Sequence, residues 1–203
     1  PGAKMPKRTQ AVRLLPSVIT ILALCAGLSA VKFALDGQPG TSLAMIGAAA
    51  VLDSLDGRIA RLLDATSKIG AELDSLADSI SFGVAPALVL YVTLLDGTSI
   101  GWIIALIYAV SIVLRLARFN TLLDDDDVPA YAREYFVGVP APAGALIALT
   151  PLAATAQWGD GWWSSHFVVI VWTLFSAALI VSRIPTLAMK SVSVPPHMAA
   201  VSA

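Results

Sequence analysis

Six stretches of the chain, at roughly 16–35, 43–63, 70–95, 100–120, 140–157 and 165–184, are dominated by apolar residues. Each is close to the ~20 residues a helix needs to cross a hydrocarbon core. Turn-forming runs separate them: Asp36-Gly37-Gln38-Pro39-Gly40, Asp96-Gly97-Thr98 and Gly159-Asp160-Gly161. Composition agrees, with 57% hydrophobic residues and a mean hydropathy of +0.79. Charged residues make up 13%, against ~25% in soluble domains. A soluble domain of this size could not hide so much apolar surface; a bilayer can. The sequence therefore predicts an all-α integral membrane protein of six transmembrane helices, forming a single membrane domain over 1–203. Residues 1–15 read as a basic cytoplasmic segment, able to form an amphipathic surface helix. Residues 16–184 form the six-helix core and 185–203 a cytoplasmic tail.

Charge sets the orientation. With both termini cytoplasmic, twelve of the thirteen Lys and Arg residues fall on the inner side or at inner helix ends, and only Lys32 falls outside. The reverse arrangement breaks the positive-inside rule almost completely. Trp158, Trp162 and Trp163 suit an aromatic belt at the outer interface. The lone Cys25 excludes an internal disulfide and is expected as a small buried hydrophobe. His166 and His197 are far apart in loop-like or tail contexts, which argues against a histidine metal site. The run Asp124 to Asp127 reads as a solvated loop. No nucleic acid is expected as a partner.

The second and third stretches carry aspartates at membrane depth, where an unpaired carboxylate costs ~2.5–3.5 kcal/mol. Their spacing suggests what offsets that cost. At 100° per residue, Asp53, Asp56, Gly57, Ala60 and Asp64 share one helix face. Gly70, Asp74, Ala77, Asp78 and Ser81 share a face of the next helix. A short inner loop makes these helices antiparallel neighbours, so the two acidic faces can converge. Four clustered carboxylates repel one another unless cations neutralise them. Oxygen ligands without His or Cys select hard ions such as Mg²⁺ or Mn²⁺, and a pair of such ions is a recurrent clamp for phosphoryl chemistry. Gly57, Ala60 and Gly70 leave a shallow floor that a flat nucleotide could approach. Two plainer readings stand beside these: close helix packing for the glycines, and an ion-pair network with Arg58, Arg61 and Lys68 for the aspartates.

The string Asp53-Ser-Leu-Asp56-Gly57-Arg-Ile-Ala60-Arg61, then eight residues, then Gly70-Ala-Glu-Leu-Asp74-Ser-Leu-Ala-Asp78 resembles the signature of the CDP-alcohol phosphotransferases at all eight defined positions. The resemblance implies that Asp53, Asp56, Asp74 and Asp78 bind two divalent cations, Mg²⁺ or Mn²⁺. It implies that Asp78 is also the general base on the acceptor hydroxyl, and that Gly57, Ala60, Arg61 and Gly70 hold the CDP moiety. Thr20 stands where the family places a phosphate contact, although Ser17 departs from the family's usual Asn nearby. A homodimer in the plasma membrane is implied as well.

Three further blocks bear on the acceptor. They run from Ser79 to Ala87, from Arg115 to Asn120 and from Phe136 to Ala143, and they resemble the serine-accepting branch of the family. The glycerol-phosphate branch usually shows Leu-Asp-Pro and Ala-Asp-Lys where this chain has Leu73-Asp74-Ser75 and Ala77-Asp78-Ser79. The substrates implied are CDP-diacylglycerol and L-serine. Arg115 and Arg118 share a helix face and could hold the acceptor carboxylate or the donor phosphate, or extend to inner headgroups. Ser81 and Asn120 are further candidates for acceptor binding, Asn120 also as a helix cap. Inositol phosphate, glycerol phosphate or an ether-lipid donor remain alternatives. Acids lining an ion or metal transporter are the reading from another class.

Overall fold

The computed structural model describes residues 7–124, 135–137, 139–182 and 185–187. The chain termini, most of the loop after residue 124 with Asp125 to Asp127 of the aspartate run, and the tail beyond residue 187 lie outside these residues. Among the described residues eight α-helices follow one another: α1 Lys7–Leu35, α2 Pro39–Leu62, α3 Lys68–Asp78, α4 Ala85–Leu94, α5 Ser99–Asp124, α6 Ala141–Ala148, α7 Thr150–Trp158 and α8 His166–Val181. A π-helical segment, Ser79–Val84, joins α3 to α4. The regular structure of the described residues is helical throughout save for one short strand pair, as an all-α fold predicts. Strands β1 Tyr135–Val137 and β2 Pro185–Leu187 form a short antiparallel pair, with Phe136 opposite Thr186.

Among the described residues three helical stretches are long and apolar enough to cross a membrane: Leu14–Leu35, Lys68–Leu94 and Ser99–Thr121. The other three expected spans fall short of that description for separate reasons. Helix α2 carries Asp53, Asp56, Arg58 and Arg61 in its second half. The stretch from 141 to 158 is broken at Leu149, where Pro151 enters the first turn of α7, a position that tolerates its missing N–H. Helix α8 has only 16 residues.

The separate N-terminal surface helix is also corrected: residues 7–15 are the opening turns of α1, which continues through Pro16. Proline removes one intrahelical donor, and here the helix tolerates that loss. Cys25, expected in the core, faces outward. Asp64 is not on the acidic face of α2. It lies beyond the helix end with φ of 47°, in the left-handed region that short polar residues can adopt.

Small residues bring the helices close. Ala30, Ala49, Ala85, Ala145 and Ala148 are fully buried, around a centre made by Phe82, Leu90, Tyr108 and Ile112. At Gly27 an added Cβ would lie 2.7 Å from the Ser81 Cα, so only glycine allows α1 to meet the π-helical segment. The Ser42 hydroxyl donates to the Ala30 carbonyl at 2.7 Å, tying α1 to α2 beside their tight turn. Large apolar side chains also point outward, among them Ile100, Ile103, Val110 and Phe167. A contiguous apolar exterior of this kind matches lipid as the surrounding medium. Trp158, Trp162 and Trp163 pack edge-to-face at one end, with centroids 6.2 and 5.8 Å apart.

Candidate active site

The second half of α2 and the first half of α3 build the site. On α2, Asp53, Asp56, Gly57, Ala60 and Arg61 recur at intervals of three and four and so lie on neighbouring turns of one face. Helix α3 starts cleanly because Ser67 is its N-cap and accepts from the Gly70 amide at 3.0 Å. From there Gly70, Asp74 and Asp78 follow at four-residue steps.

The two acidic faces converge. Carboxylate oxygens of Asp53, Asp56 and Asp74 all lie within 4.8 Å of one another. Asp53 also lies beside the side chains of both Asp74 and Asp78. Asp56 is buried and accepts from the Thr20 hydroxyl, which lies 3.0 Å from the Pro16 carbonyl as well. A buried oxygen of Asp74, Oδ1, has no hydrogen-bond partner. An orphaned carboxylate oxygen facing other carboxylates is a group that a hard cation would satisfy, so the residues present fit divalent metal. Among the described residues, Arg58, Arg61 and Lys68 form no ion pair with the cluster; the ion pair found is Lys32 with Asp36, far from it in sequence. A purely structural ion-pair network therefore does not account for these aspartates.

Beside the cluster opens a cavity of about 180 Å³. Thr20, Gly57, Ala60, Arg61 and Gly70 all line it, together with Asp56 and Asp74. The structure thus brings every nucleotide-side candidate of the sequence reading to one place. Pro16 and Ser17 of α1 and Ala65, Thr66, Ser67 and Ala71 at the α2–α3 turn also line it. Of these, Ser67 was legible as a serine standing just before a helical run; the others carry no local signal. At Gly70 a Cβ would sit 3.0 Å from the Ser67 Oγ, so glycine keeps this end of α3 open. Gly70 and Ala71 of the first turn of α3 line the cavity, their amides already bonded to the Ser67 hydroxyl and carbonyl oxygens at 3.0 Å.

The acceptor-side candidates separate into two groups. Arg115 is 8% exposed, its Nε has no hydrogen-bond partner, and the charge of Asp78 reaches its guanidinium. The other three are engaged by the scaffold. Arg118 donates to the Val181 carbonyl at 3.1 Å, at the end of α8. Ser81 is buried and donates to the Ala23 carbonyl at 3.3 Å. Asn120 accepts from the Ser75 hydroxyl at 3.1 Å, linking α5 to α3.

Helices apolar enough to cross a membrane thus carry an aspartate cluster able to hold metal beside a small-residue cavity. The chain belongs to the CDP-alcohol phosphatidyltransferase family, whose sequence model matches residues 13–184. Members of this family generally depend on divalent metal. The chain is 54% identical over 198 residues to a CDP-diacylglycerol–serine O-phosphatidyltransferase of Mycobacterium leprae, covering 97% of this chain and 66% of that protein. It is 53% identical over 199 residues to the protein of the same name from Mycobacterium tuberculosis, covering 98% and 70%. A more distant relative of that name, from Methanocaldococcus jannaschii, is 39% identical over 129 residues, covering 64% and 55%. The chain thus spans about two thirds of the length of the mycobacterial relatives.

Proposed function

We propose that this chain transfers the phosphatidyl group of CDP-diacylglycerol to the hydroxyl of L-serine, giving phosphatidylserine and CMP. The observation that carries the reading is that Asp56 and Asp74 belong both to the carboxylate cluster and to the lining of the cavity with Gly57, Ala60, Arg61 and Gly70. A nucleotide seated there has its phosphates against the acids, where charge develops as the bond to CMP breaks. Serine as acceptor is supported by the names of the relatives and by the blocks around Phe82, Arg118 and Pro140.

Gly57, Ala60 and Gly70 supply a floor low enough for the cytidine to lie against backbone, while Arg61 and Thr20 face its phosphates. Asp53, Asp56, Asp74 and Asp78 would hold two divalent cations, Mg²⁺ or Mn²⁺. Bound there, such ions supply neutralisation of the pyrophosphate and of the leaving CMP. Arg115 offers its unpartnered Nε to the acceptor carboxylate. Asp78 takes the proton of the serine hydroxyl as that oxygen attacks phosphorus. The new bond is serine oxygen to phosphorus, the broken bond is phosphorus to the CMP oxygen, and the proton rests on Asp78. Arg118, Ser81 and Asn120 support this arrangement through their protein partners.

The single membrane domain is completed as six spans. Helix α2 is ~36 Å long at 1.5 Å per residue, α6 with α7 ~27 Å and α8 ~24 Å, against a core of ~30 Å. Both termini and the site then lie on the basic, cytoplasmic side of the cell membrane. There the lipid tails of the donor stay in the bilayer while its headgroup enters the cavity. The family resemblance supports a homodimer.

The test offers purified protein CDP-diacylglycerol and Mn²⁺ with serine, glycerol 3-phosphate or inositol phosphate in turn. CMP release is expected with serine. Release only with another acceptor would correct the specificity, and release with none would refute the transferase reading.

A further inference from the structure

Between Asp78 and α4 the chain is wound as a π-helix over Ser79–Val84. A π-turn holds more residues than an α-turn, so it rotates the residues before it relative to those after it, and it requires a local cause. The sequence supplies one at Pro86. In a regular helix the amide of residue 86 would bond the carbonyl of Phe82, but proline has no amide, and its ring crowds that same carbonyl. A buried carbonyl must then find a donor elsewhere. It finds the hydroxyl of Tyr108 on α5, which donates to the Phe82 carbonyl at 2.7 Å.

Tyr108 is fully buried, and Phe82 is 1% exposed. Tyr108 does not line the cavity beside the aspartates, so substrate contact does not explain its hydroxyl. The π-segment is held from two sides. On one, α5 closes on it at Gly83, where a Cβ would lie 3.1 Å from an Ile112 methyl. On the other, α1 closes on Ser81 at Gly27, and the Ser81 hydroxyl bonds the Ala23 carbonyl. The residue immediately before this pinned segment is Asp78.

We propose that Tyr108 is a positioning residue for Asp78, acting through the Phe82 carbonyl to fix the π-helical segment and with it the rotation at which Asp78 meets the other aspartates. The assignment rests on Asp78 acting as base and metal ligand. Tyr108 itself touches neither substrate nor metal. Its hydroxyl replaces the donor that Pro86 removes, and the wound segment delivers the carboxylate.

The test is Tyr108→Phe in the full chain, which keeps the ring and deletes only the hydroxyl. Expected are a kcat for CMP release lowered ~10-fold with KM for both substrates within ~2-fold, and Mn²⁺ affinity, read by electron paramagnetic resonance without substrate, lowered ~5-fold. The thermal midpoint is expected to move only a few degrees, about what loss of one hydrogen bond gives. Pro86→Ala returns an amide to position 86, so in that background Tyr108→Phe is expected to change kcat and Mn²⁺ affinity by less than ~2-fold. Parental kcat and Mn²⁺ affinity in Tyr108→Phe would overturn the proposal, as would equal losses with and without Pro86. A parent chain that releases no CMP from any acceptor would instead count against the proposed function, and the Mn²⁺ arm would still decide the role of Tyr108.

Discussion

Asp78→Asn is expected to slow CMP release by ~10²–10⁴-fold, the range that a positioned general base contributes, while the Kd for CDP in the presence of Mn²⁺ stays within ~3-fold. The reason lies in how the carboxylates divide. Asp53, Asp56 and Asp74 form the tight group within 4.8 Å, and Asp56 and Asp74 also face the nucleotide cavity. Asp78 does not line that cavity. It meets the group beside Asp53, and its charge reaches the Arg115 guanidinium. Asparagine preserves its shape and its ability to hydrogen-bond Asp53, but it cannot take a proton from an attacking hydroxyl. Steady-state CMP release and calorimetric titration with CDP measure the two effects separately. Near-normal turnover would remove Asp78 from the base role. Loss of CDP binding together with turnover would make it chiefly a metal ligand.

Stripping divalent cations is the second large effect. Chelation with EDTA is expected to abolish CMP release, and Mn²⁺ or Mg²⁺ is expected to restore it. It also bears on stability, because three carboxylates share a small volume and one oxygen of Asp74 is buried with no partner. A cation that binds only the folded chain stabilises it by ~2.7 kcal/mol at a hundredfold excess over its Kd. The thermal midpoint in detergent should therefore rise on adding Mn²⁺, and the rise should shrink in Asp56→Ala. Turnover that persists in EDTA would contradict the role given to the cluster.

The site was legible in the sequence because its determinants are local. Intervals of three and four residues place side chains on one helix face whatever the rest of the chain does, and a short turn forces two consecutive helices side by side. That was enough to bring Asp53, Asp56 and Asp74 together and to gather Gly57, Ala60, Arg61, Gly70 and Thr20 around one cavity. The long spans were legible for the same reason, since length and hydropathy are additive along the chain.

What was not legible depends on contacts distant in sequence or on competition between two local rules. Pro16 signals a helix boundary, yet α1 runs through it. Pro86 carries the signal for the π-helical segment, but the partner that stabilises the result, Tyr108, lies more than twenty residues away. Asp64 has the right spacing for the acidic face and misses it because the helix ends first. Arg118 and Ser81 look like ligands by residue type, and only tertiary packing reveals that the Val181 and Ala23 carbonyls take up their donors. The pairing of β1 with β2 joins segments about fifty residues apart, which no local pattern announces.

The most direct measurement follows the acceptor oxygen. Serine carrying a heavy-oxygen label in its side-chain hydroxyl is supplied with CDP-diacylglycerol and Mn²⁺ to the purified chain, and the lipid and nucleotide products are weighed by mass spectrometry. If the serine hydroxyl attacks the phosphorus that bears the lipid, the label appears in phosphatidylserine and CMP stays unlabelled. Labelled CMP, or CMP formed without any serine-bearing lipid, would contradict the transfer described here.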